Sequence, residues 1–104
     1  LTFKWQISSS ENTHCLQLVG DLTRSTLLSL WQQRASLFQN QKSCLEIKLN
    51  QLGTVDSAGF VLICEILHHY SKLGEVKLVD VPHLVLDFAE LYDLDQWLKA
   101  FIQP

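Results

Sequence analysis

Between residues 44 and 73 the hydrophobic period changes once, from two to nearly four, and the change falls at the stretch "VDSAGF". Leu45, Ile47 and Leu49 alternate with Glu46, Lys48 and Asn50, the pattern of a strand that buries one face. Gly53 allows a bend before Thr54 and Val55 deliver the chain to Asp56. From Ser57 to about Leu73 the apolar residues recur at helical spacing, and Gly74 reads as a helix-ending glycine. "EVKLVDV" then alternates as another strand. A helix of this length is enough to cross over between two parallel strands, so the segment constrains the chain to an α/β fold.

The flanking segments extend that unit. Phe3, Trp5 and Ile7 alternate with Thr2, Lys4 and Gln6, "SSSENT" turns the chain, and "HCLQLVG" places Leu16 and Leu18 on one face, predicting an antiparallel hairpin. Thr23 is a good N-cap for a helix from Arg24 to Gln39, where Leu27, Leu28, Leu30, Trp31, Ala35, Leu37 and Phe38 gather on one side. Pro82 suits the first position of a helix running to about Tyr92, and Asp95 can cap a short last helix through Ile102. The expected order is ββαβαβα(α), a mixed sheet of four to five strands covered by amphipathic helices. With 104 residues, 47% hydrophobic, and neither repeats nor linkers, the chain reads as a single domain over 1–104.

Composition narrows the partners. A formal charge of −3 supplies no basic stripe for phosphate backbones, so nucleic acid is not expected. Cys15, Cys44 and Cys64 form no C-x-x-C pair and read as reduced, mostly packed thiols of a cytosolic protein. No apolar run reaches the roughly 18 residues of a membrane-spanning helix, so any service to a membrane is expected to go through another subunit.

Catalytic and metal-binding constellations are weak. Ser57, His68 and His69 lack a G-x-S-x-G elbow, and neither G-x-x-x-x-G-K-[ST] nor G-x-G-x-x-G occurs. Cys64 and His68 stand four apart on one helix but lack a second pair of ligands. Neither catalytic residues, metal nor cofactor is therefore expected. The long helix is more informative by face. Gly59, Phe60, Leu62, Ile63, Ile66, Leu67, Tyr70 and Leu73 form the core side. Ser57, Val61, Cys64, Glu65, His68, Ser71 and Lys72 form an outward strip whose first turns mix a hydroxyl, a valine and a thiol with one acid, a composition suited to docking a partner.

Three uses are open to Ser57. It or Asp56 can cap the helix, worth about 1 kcal/mol. If Asp56 is the cap, Ser57 is free to face a partner, with Gly59 keeping bulk away from the helix end. As a phosphate acceptor it has favourable helix N–H dipoles but the Asp56 carboxylate as a neighbour.

"VDSAG" at a strand-to-helix join, "GDL" before the first helix, and a fourth strand followed by a proline-started helix together resemble the STAS domain over nearly the whole chain. The family includes anti-sigma factor antagonists and the cytoplasmic tails of sulfate transporters. In the antagonists the serine after the aspartate is phosphorylated by a partner kinase; the matching position is Ser57, followed by Ala58 in place of the usual second serine. "LLSLWQQR", "CLEIKLNQL" and "LDFAELYDL" are more similar to the branch that supplies the small STAS subunit of phospholipid-transport ABC complexes. That resemblance implies a protein without enzymatic activity, cytoplasmic and peripheral to the inner membrane, which binds the ABC ATPase subunit and helps maintain outer-membrane lipid asymmetry. It implies a partner contact at the start of the long helix, at Ser57, and together with the outward strip predicts a partner-binding surface of Asp56, Ser57, Ala58, Gly59, Val61, Glu65 and His68. The alternative it carries is an anti-sigma factor antagonist switched at Ser57; a lipid- or nucleotide-binding module is a third, which no residue here argues for.

Overall fold

The computed structural model describes residues 2–102. Four strands, β1 (Phe3–Ser9), β2 (Thr13–Leu22), β3 (Cys44–Val55) and β4 (Glu75–Val79), lie side by side in that order. β1 pairs antiparallel with β2, while β2, β3 and β4 are parallel, so the sheet is mixed as expected. The helices are α1 (Leu28–Gln33), α2 (Ser57–Ser71), α3 (His83–Leu91) and α4 (Asp95–Lys99). An isolated parallel bridge from Leu78 to Ile102 brings the end of the chain against β4.

Register explains the core. Ile7, Leu16, Ile47 and Leu78 stand in one row across the four strands, and His14, Leu45 and Val76 in the next. Leu16, Ile47 and Leu78 are buried with Leu18 and Leu49 on the same face, whereas the residues that alternate with them are only partly covered. The sheet thus buries one face against the helices, chiefly Phe60, Leu62, Ile63, Ile66 and Leu67 of α2, Leu30 of α1, Val85 and Ala89 of α3 and Leu98 of α4.

Several boundaries differ from expectation. β3 runs unbroken through Gly53, and the irregularity appears instead as register shifts against β2, where Asp21 Oδ1 accepts from Thr54 N at 2.8 Å. The first helix is short. Thr23 does not cap it; its carbonyl closes a turn with the N–H groups of Thr26 and Leu27, and Thr26 Oγ1 donates to Asp21 O at 2.6 Å. These local side-chain bonds compete with the helical ladder. Beyond Gln33 the chain leaves the helix because Tyr70 claims its backbone: the hydroxyl donates to Arg34 O (2.8 Å) and accepts from Leu37 N (3.3 Å). Leu37 is still buried and Phe38 stacks on His14 at 4.2 Å, so both reach the core from a loop, while Leu28 and Ala35 are exposed.

α2 ends at Ser71, leaving Leu73 beyond it and 47% exposed rather than in the core. Pro82 precedes α3 instead of opening it, and Asp95 is the first residue of α4 with Leu94 before it. None of the helices among the described residues is long and apolar enough to cross a membrane.

Candidate functional site

The join between β3 and α2 is built on Asp56. Its backbone is extended (φ −100°, ψ −177°), and its Oδ1 accepts from Gly59 N at 2.9 Å, the bond that caps α2. Its Oδ2 accepts from the backbone N–H of Arg24, also at 2.9 Å, so one carboxylate holds both the start of α2 and the turn after β2. Burial pushes this carboxyl up, but the N–H groups of Arg24, Gly59 and Ala58 outweigh burial and hold it below the ordinary carboxylate range.

With the cap supplied by Asp56, Ser57 is left exposed as the first residue of α2, and among the described residues its hydroxyl has no hydrogen-bond partner. Ala58 is half-buried. Gly59 is fully inside: a Cβ there would stand 2.1 Å from Leu22 O, so its missing side chain admits the end of β2 and not a partner. That replaces the expected role of clearing space at the helix end.

Val61, Glu65 and His68 are exposed along the outer strip, Val61 at 50%. They share one open groove of about 350 Å³ with Phe60, Cys64, Tyr92, Leu94 and Trp97. The floor is aromatic. Phe60 lies 5.7 Å from Phe88 and 6.0 Å from Tyr92, ring centre to ring centre, in offset stacks that lock α3 against α2. Cys64 is half-buried within the groove, its thiol pushed up to about 11 by burial, with the Glu65 charge adding to the effect. Among the described residues no third ligand joins Cys64 and His68 in a metal-binding group. On the opposite flank Glu65 lies 3.8 Å from Arg34, whose guanidinium rests on the Trp31 ring at 3.8 Å and donates to Trp31 O at 2.7 Å.

The structure therefore brings Val61, Glu65 and His68 together, sets Ser57 exposed at the helix start, and turns Gly59 away from them. Sequence reasoning missed the far wall, Tyr92, Leu94 and Trp97. The motif "LDFAELYDL" contains two of these residues, but its spacing alone does not say which helix they face.

A mixed sheet in the order β1-β2-β3-β4, with helices on one face and a capped serine-bearing turn after β3, defines a STAS-type α/β domain. An anti-sigma factor antagonist from Mycobacterium paratuberculosis superposes with a TM-score of 0.74 at 19% identity, covering 99% of this chain and 86% of that one. The Bacillus antagonist SpoIIAA in its phosphorylated form gives 0.69 at 14% identity over 96% and 89%. The family model "Mlab, STAS domain" matches residues 5–103, and the chain belongs to that family. A Haemophilus influenzae protein, the intermembrane phospholipid transport system binding protein MlaB, is 38% identical over 102 residues, spanning 94% of this chain and 97% of that protein.

Proposed function

We propose that this chain is a single-domain, non-catalytic, cytoplasmic subunit of a phospholipid-transport ABC complex, and that it binds and supports the ATPase subunit through the outer strip of α2. The observation that carries the reading is the near full-length match to the Haemophilus influenzae MlaB. The local geometry supports it: Ser57 is not used as a cap, Val61 stands half-exposed above an aromatic-floored groove, and neither belongs to the core. Apolar and aromatic groups in a pocket framed by polar residues are the usual anchor of a protein interface.

The test is co-purification of the tagged chain with the ATPase and permease of its host, wild type against Val61→Glu. The variant should lose the ATPase while its melting temperature changes little, because Val61 is half in solvent. A wild type that recovers no transporter subunit defeats the reading, and a Val61→Glu protein that still recovers the ATPase defeats the assignment of the strip.

The exposed hydroxyl of Ser57, without a hydrogen-bond partner among the described residues, favours a second reading, an anti-sigma factor antagonist switched by phosphorylation. A phosphate would add close to two negative charges beside Asp56 and repel the partner. Recovery of a serine kinase without transporter subunits, together with a phosphorylated Ser57 peptide by mass spectrometry, selects this reading over the first.

A further inference from the structure

The outer strip of α2 has an exposed arginine on one flank and a net-acidic pair of helices on the other. On one side α1 and the turn before it run beside α2, tied at two points: Arg24 N to Asp56 Oδ2 at 2.9 Å, and Arg34 to Glu65 at 3.8 Å. Asp56 and Glu65 are separated by about 14 Å of helix at 1.5 Å per residue, so the segment from Arg24 to Arg34 lies along the first turns of α2. Arg34 is already engaged by Trp31 and Glu65. Arg24 is not: it is exposed, and among the described residues its guanidinium makes neither an ion pair nor a hydrogen bond. One turn on, Leu28 is 61% exposed.

The other side is formed by α3 and α4. From His83 to Lys99 the acids Asp87, Glu90, Asp93 and Asp95 stand against Lys99 as the one lysine or arginine, so this segment carries the chain's formal charge of −3. Asp87 lies 3.2 Å from His83, and Glu90 and Asp95 line a separate groove with Lys99, which leaves Asp93 as the acid beside this one. Asp93 sits between Tyr92 and Leu94, both of which line the groove.

We propose that this polarity fixes the orientation of the docked protein: a surface that seats an apolar side chain in the groove, presents lysine or arginine over α3 and α4, and offers a carboxylate to Arg24. This rests on the reading of the α2 strip as the ATPase contact. Reversing such a protein across α2 would bring like charges together on both flanks, which discriminates against the wrong approach more strongly than it adds affinity.

The experiment is association of the purified ATPase subunit with the full chain, measured as a rate at low and high salt for wild type, Arg24→Glu, Asp93→Asn and Val61→Glu. Both charge variants are suited to the test. Arg24 holds Asp56 through its backbone N–H, which the substitution retains, and asparagine tolerates the φ of 60° at position 93. Melting curves verify that each variant is folded. We expect Arg24→Glu to slow association roughly tenfold at low salt and Asp93→Asn to slow it by a smaller factor. Both deficits should vanish near 1 M salt, where charges are screened beyond about 3 Å. Unchanged or faster association of folded Arg24→Glu or Asp93→Asn, with Val61→Glu still defective, overturns the polarity and leaves the docking strip standing. Equal rates for all four proteins, or no binding by wild type, overturn both.

Discussion

Asp56 spends one oxygen on Gly59 N and the other on Arg24 N, 32 residues away in the chain. Asp56→Ala removes the cap and strands the Arg24 N–H, and should lower unfolding free energy by about 2 kcal/mol in urea titrations. The pH dependence follows from the sign of the shift. The carboxyl is held below its ordinary value of 3.8, so its stabilising effect is complete above that value and is lost as pH falls through the lower folded-state value. The urea midpoint of wild type should therefore decline on acidification in that window, and Asp56→Asn should decline less. Gly59→Ala, with its Cβ placed against the Leu22 carbonyl, should cost about 3 kcal/mol, read as a drop in melting temperature. Cys64, at about 11, carries roughly one thiolate per thousand molecules at pH 8 and should react slowly with iodoacetamide, as peptide mass spectrometry would report. At this scale the sequence marks the join but does not choose between Asp56 and Ser57 as cap. The choice depends on the extended backbone at Asp56 and on a second acceptor bond to a distant turn, and no local pattern encodes either.

Strands β2 to β4 and the long helix were legible because each buries one face, and burial writes its period into the residues. Leu45, Ile47 and Leu49 are buried as their alternation predicts, and seven of the eight residues assigned to the core side of α2 are buried, Leu73 being the exception. α1 was not legible. The spacing of Leu30, Leu37 and Phe38 suits a helix, yet only Leu30 lies in one, because the Tyr70 hydroxyl satisfies Arg34 O and Leu37 N and releases that stretch from the helical ladder. Tyr70→Phe leaves both backbone groups without that partner and should destabilise the protein by about 1–2 kcal/mol. Chemical shifts of residues 34–38 should move while those of β1 stay fixed.

The candidate site is assembled by the whole molecule from α2 and from the α3–α4 junction, with β4 between them in the chain, which is why only its central ridge was readable. Val61, Glu65 and His68 follow from the periodicity of one helix. Tyr92, Leu94 and Trp97 join them only because Phe60, Phe88 and Tyr92 stack α3 onto α2. The helices that complete this face leave the far edge of the sheet thinly covered. In β1 Phe3 and Trp5 are half-buried, the remaining residues are exposed, and Ile7 at 41% stands at the end of the row whose other members are fully enclosed. Few apolar contacts would have to break for β1 to detach from β2. Its amides should accordingly take up deuterium well before those of β3, through an opening that leaves the parallel strands and α2 intact, and partner binding at α2 should slow exchange there without slowing it in β1.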